Sequence, residues 1–98
     1  MKLEDACRIL QKNQAVLNTF QVKELYIFGS VARNESVESS DIDIMGEFEK
    51  EAQVGLFDFV RLKRRLSELL GCEVDLTTRD ALHHSLKEEI LREAVHAA

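Results

Sequence analysis

Alternating helix-like and strand-like segments predict an α/β (α+β) layer fold in which helices cover a small mixed β-sheet. Three observations carry that expectation. Apolar residues recur three and four positions apart in stretches beginning near residues 3, 56 and 82. Runs rich in β-branched and aromatic residues lie at 22–28, 41–48 and 72–77. Four glycines and no proline punctuate the chain between them.

The first helix follows from Leu3, Ala6, Cys7, Leu10 and Leu17, one apolar stripe with Lys2, Glu4, Arg8, Gln11 and Lys12 on the wet side, and it should end near Asn18. Val22–Phe28 reads as a strand stopped by Gly29. Residues 31–40, VARNESVESS, carry too little apolar surface for a strand and suit one or two helical turns and a loop. Asp41–Phe48 alternates, with Asp41, Asp43 and Met45 on one face and Ile42 and Ile44 on the other. Leu56, Phe59, Val60, Leu62, Leu66, Leu69 and Leu70 then trace an amphipathic helix ended by Gly71 at C′. Its stripe is mainly core, and any apolar remainder would serve an oligomer or partner interface. Cys72–Thr77 is a third strand, with Val74 and Leu76 opposite Glu73, Asp75 and Thr77. A last helix runs over Leu82, Leu86, Ile90, Leu91, Ala94 and Val95. With only about three strands, every helix is needed to cover the sheet.

Ninety-eight residues support one core, so residues 1–98 are expected to form a single domain. Thirteen Lys and Arg against 18 Asp and Glu leave a net charge of −5, which argues against a protein that binds by neutralising a nucleic-acid backbone; a single nucleotide remains compatible. No run approaches the roughly 20 apolar residues of a membrane span, and the opening MKLEDACRIL carries acids unlike a leader, so a cytoplasmic location is expected. Cys7 and Cys72 lie far apart without CxxC spacing and read as reduced core thiols.

Two features flank the same short loop. Gly29-Ser30 follows the first strand directly and is either a tight turn with an N-cap or a site where a glycine lets the backbone approach a ligand and a serine caps a short helix whose N–H groups face an anion. Asp41 and Asp43 stand two apart on the second strand, their backbones roughly 6–7 Å apart; the pair is either a solvated strand face or two carboxylates close enough to touch one cation. Asp75, on the polar face of the third strand, would join them if the two strands are neighbours. Three hard oxygen ligands suit Mg²⁺, which recruits substrate phosphates to its remaining positions.

Gly29-Ser30, ten residues, Asp41-Ile42-Asp43 and a later Asp75 together resemble the signature of the DNA polymerase β-type nucleotidyltransferase superfamily. The string GSVARNESVESSDIDI, with LFDFVRLKRRLSELLGCEVDLTTRDAL and LKEEILREAV, is similar to its minimal, MNT-type branch over nearly the whole chain. The resemblance implies the polymerase β-like fold and an antitoxin partnered with a HEPN-domain toxin. It further implies transfer of AMP from the substrate ATP to a tyrosine hydroxyl of that ribonuclease, with Mg²⁺ as cofactor. By position, Gly29 and Ser30 would hold the triphosphate, Asp41 and Asp43 the metal, and Asp75 would complete the site and help remove the acceptor proton. Many relatives have Gly where this chain has Asn34, a residue that also tolerates left-handed backbone.

Other residues keep two readings. Arg33 is either a phosphate ligand or a surface arginine closing a short helix, and Ser40 either bonds a metal ligand or phosphate or is a turn residue. The run Arg61-Leu62-Lys63-Arg64-Arg65 is either a contact for an acidic partner or a solvated helix face. His83, His84 and His96 lack ligand spacing and receive no metal or base role. So small a chain leaves an open cleft, so the acceptor is expected on another protein, in a homo- or hetero-oligomer, with no nucleic acid and no membrane. Two alternatives stand beside transfer to a protein: an antitoxin acting by binding alone, and a nucleotidyltransferase for a small molecule.

Overall fold

The computed structural model describes residues 1–35, 41–82 and 84–98, with the backbone alone at 84 and 85. Its elements are α1 (Leu3–Lys12), α2 (Gln14–Thr19), β1 (Val22–Phe28), α3 (Gly29–Ala32), β2 (Ile42–Phe48), α4 (Leu56–Leu70), β3 (Val74–Thr78), α5 (His84–Glu93) and β4 (Val95–His96). The strands form one mixed sheet in the order β3-β2-β1-β4. β2 runs parallel to β3 and antiparallel to β1, which in turn pairs antiparallel with β4.

Strand alternation sorts the sheet into two faces. Leu25 and Ile27 of β1, Ile42 and Ile44 of β2, and Val74 and Leu76 of β3 turn inward, into one core with Ala6, Leu10 and Leu17 from α1 and α2 and Leu62, Leu66 and Leu70 from α4. The register pairs Phe28 with Asp43, Asp43 with Asp75, Tyr26 with Met45 and Met45 with Thr77. These residues therefore share the opposite face. Val31 of α3 is also part of the core, which anchors the turn after β1 to the body of the fold.

Three expectations need correction. The first helix is two: Asn13 donates from Nδ2 to the Ile9 carbonyl oxygen at 2.7 Å, and this local bond competes with the helical ladder and separates α1 from α2. The last helix stops at Glu93, and Val95, expected in its stripe, belongs to a fourth strand. Leu25 N–H donates to the Ala98 carbonyl at 2.7 Å and Ala97 N–H to the Leu25 carbonyl at 2.8 Å, so the tail satisfies backbone groups of β1 that helix continuation would have left open. Third, the stripe expected on α4 is only partly core: Leu62, Leu66 and Leu70 are buried, while Leu56 and Val60 are exposed. Leu86 of α5 is exposed as well.

The expectations for Gly71 and Asn34 hold. Gly71 ends α4 in the left-handed region at φ 69°, and Asn34 adopts φ 57°. At the start of α4 the Asp58 carboxylate accepts the Gly55 N–H at 3.3 Å. Cys7 and Cys72 are free thiols, each pushed upward in pKa by burial. Among the described residues no helix is long and apolar enough to cross a membrane.

Candidate active site

Every residue of the candidate site that the structure describes lies where the C-terminal end of β1 meets the N-terminal ends of β2 and β3. β1 delivers the chain to Gly29, which takes φ 73°, and α3 begins at that residue. The left-handed backbone is available there because glycine has no Cβ. It also leaves room for a neighbour: a Cβ built on Gly29 would overlap Oδ2 of Asp43. The signature glycine and the second signature aspartate are thus in direct van der Waals opposition.

Parallel pairing of β2 with β3 places Asp75 beside Asp43 in register. Asp41 lies immediately before β2, where Ile42 N–H donates to the Glu73 carbonyl at 3.0 Å and fixes the strand's entry. Asp41 and Asp75 are exposed and Asp43 is half-buried. Burial first, then the charges of Asp75 and Asp41, raise the pKa of Asp43, and Arg33 partly offsets them. The site is short of positive charge.

The three carboxylates are neighbours but are not drawn into a tight ligand cluster; among the described residues no group of three or more His, Cys, Asp or Glu is gathered closely enough to hold a metal. Like charges repel, and Asp41 and Asp75 are exposed to water. Donor chemistry nonetheless suits a hard divalent cation, since all three groups offer carboxylate oxygen and the central one is disfavoured as an isolated anion.

Arg33, at the end of α3, is held by two carboxylates. Its Nε donates to Glu35 Oε2 and its Nη1 to Glu93 Oε2, both at 3.0 Å, which ties the loop after β1 to α5. Sequence spacing gave no sign of the Glu93 contact, 60 residues away. On the face shared with Asp43, Tyr26 donates its hydroxyl to Glu24 Oε2 at 2.9 Å, and His96 Nε2 lies 2.9 Å from the same oxygen. This carboxylate bond is the main reason the Tyr26 hydroxyl is pushed up in pKa. Ser30 follows Gly29 within α3, and Ser40 and His83 lie outside the described residues. Two clefts, of about 490 and 310 Å³, are lined by other residues.

A family model described as "Nucleotidyltransferase domain" matches residues 7–96. The chain belongs to the nucleotidyltransferase family. A Methanocaldococcus jannaschii chain named for protein adenylyltransferase activity is 49% identical over 87 residues, 89% of this chain and 91% of the relative. The protein adenylyltransferase MntA of Thermococcus cleftensis is 36% identical over 97 residues, covering 98% of this chain and 96% of that one. A solved minimal nucleotidyltransferase superposes with a TM-score of 0.79 at 36% identity, over 97% of this chain and 95% of the other. The fold also matches a chain of a solved Shewanella oneidensis complex, a tri-AMPylated HEPN toxin with an MNT antitoxin, at TM-score 0.66 and 18% identity, over 95% of this chain and 71% of that one. The chain is a minimal, MNT-type nucleotidyltransferase with the polymerase β-like α+β fold.

Proposed function

We propose that this nucleotidyltransferase is an antitoxin that moves AMP from ATP to a tyrosine hydroxyl of a HEPN ribonuclease toxin and so silences it. The observation that carries the reading is the in-register pairing of Asp43 with Asp75 beside Gly29, with Asp41 and Asp75 exposed. Support comes from the relatives named as protein adenylyltransferases and from the solved complex in which an MNT antitoxin accompanies an AMPylated HEPN toxin.

In this reading Asp41 and Asp43 hold Mg²⁺ and Asp75 completes the set. The ion supplies charge compensation at phosphate oxygens. Gly29 and Ser30 hold the triphosphate, because the absent Cβ and the turn at the start of α3 let phosphate approach the backbone. The acceptor hydroxyl attacks the α-phosphorus, an O–P bond forms, the bond to pyrophosphate breaks, and Asp75 accepts the hydroxyl proton. Arg33, held by Glu35 and Glu93, lies near enough to offset part of the charge of Asp43 and is assigned to the nucleotide side of the site. Ser40 remains a nucleotide-side residue in the same proposal.

The test is to incubate the chain and its HEPN partner with ATP and Mg²⁺ and to weigh the partner intact. Gain of one or more AMP units, lost with Asp41→Ala plus Asp43→Ala or with EDTA, supports the reading. A folded double variant that still transfers AMP overturns the catalytic assignment. One that no longer transfers AMP but still neutralises the toxin moves the function to binding alone.

A further inference from the structure

We infer that the outward face of α4 is a docking surface for an acidic, amphipathic helix of a partner protein; this deepens the proposed toxin partnership and rests on it. Helical geometry places Phe57, Val60, Arg61 and Arg64, at offsets 0, 3, 4 and 7, along one ridge. That ridge points away from the core, which α4 meets through Leu62, Leu66 and Leu70. Phe57 is 80% exposed, Leu56 beside it 75% and Val60 45%, a contiguous apolar turn on a helix otherwise solvated on this side. A cleft of about 310 Å³ adjoins it, with Phe20, Val54, Asp58 and Arg61 among its lining residues. It offers a place for an inserted side chain.

Charge selects the occupant. Among the described residues Arg65 pairs with Glu68 at 3.2 Å, whereas Arg61, Lys63 and Arg64 are exposed and take part in no ion pair. Unpaired cations flanking apolar anchors, in a chain of net charge −5, fit a helix carrying carboxylates beside its own apolar stripe. A two-fold pairing with a second copy would set this cationic ridge against itself. A nucleic acid would stack a base on Phe57 but leave Leu56 and Val60 without apolar cover, and its phosphates would meet a chain of net charge −5.

The ridge lies on the far side of the sheet from Asp43. Ile42 and Ile44 face the α4 core, so Asp43 between them faces the other way. A helix docked on α4 leaves the carboxylate face open, and holding the partner becomes separable from modifying it.

The probe is a purified HEPN toxin, the partner class proposed above, titrated against wild type, Phe57→Asp and Arg61→Glu/Arg64→Glu, each checked by circular dichroism. These side chains are exposed, so the variants keep wild-type folding. Expected results are affinity about 30-fold weaker for Phe57→Asp, and weaker, less salt-sensitive binding for the charge reversal. AMP transfer persists when the partner is supplied above the weakened Kd. Equal binding of wild type and Phe57→Asp overturns the docking surface while leaving the partnership intact. No binding by wild type removes the partnership and this inference with it. Two further results overturn the choice of occupant while toxin affinity is unchanged: loss of self-association in Phe57→Asp by light scattering, or loss of binding to a single-stranded RNA oligonucleotide in the charge reversal.

Discussion

Gly29 and Asp43 occupy one space: the left-handed glycine closing β1 faces the Asp43 carboxylate so closely that no side chain fits between them. Two signature elements, 14 positions apart in sequence, are thereby a single steric unit. The glycine at once permits the turn and leaves room for the aspartate.

Replacing Gly29 by Ala adds both the cost of a left-handed L-residue and an overlap with Asp43. Urea unfolding should show a loss of about 2–3 kcal/mol. The double variant Gly29→Ala/Asp43→Ala should lose less than the sum of the singles, because the second change removes the overlapping carboxylate. Strict additivity would show that the two residues do not compete for space.

Asp43 should make the folded protein less stable as pH rises. Burial, Asp75 and Asp41 raise its native pKa above the unfolded value, so the native state binds the proton more tightly. Stability therefore falls as pH climbs from the ordinary carboxylate range through the raised native pKa, and the penalty is complete above it. Asp43→Asn lacks this penalty and should be more stable than wild type at pH 7, with the advantage shrinking toward about pH 4. Denaturation midpoints across that window measure it. MgCl₂ should raise the Tm of wild type and leave Asp43→Asn nearly unchanged; equal shifts in both would speak against a cation at this carboxylate.

Gly71→Ala isolates backbone conformation from packing. Gly71 has φ 69° with open space where a Cβ would stand, so only the left-handed penalty applies. A loss of about 1 kcal/mol in denaturant unfolding is expected, with AMP transfer intact.

Ala97 tests the added edge strand. It is fully buried, and its N–H donates to the Leu25 carbonyl. Ala97→Asp should cost at least about 3 kcal/mol by burying an unpaired carboxylate. An unchanged Tm would mean that the tail after Glu93 does not complete the sheet in solution.

The extent to which the sequence was legible depends on how local each cause is. Val22–Phe28, the helix Leu56–Leu70 and its Gly71 cap were readable because their signals, β-branched runs, four-residue periodicity and a left-handed glycine, act within a few residues. The break at Asn13 and the strand at Val95 were not. The first depends on one side-chain bond that competes with the helix, and the second on β1 having an edge for the tail to satisfy. Leu56 and Val60 fit the apolar pattern of α4 yet face water, since periodicity identifies a stripe and not whether a neighbour reaches all of it.

The candidate site divides in the same way. Residue identity and spacing alone determined the ingredients: a glycine-serine turn, a pair of aspartates two apart, a third on a later strand, and through them the family. Only the tertiary structure decided that β2 and β3 run parallel with Asp43 beside Asp75, that Gly29 abuts Asp43, and that Arg33 is tied to Glu93 on α5. Strand register and ion pairing across 60 residues follow from how the whole core packs, and no local stretch of sequence contains that information.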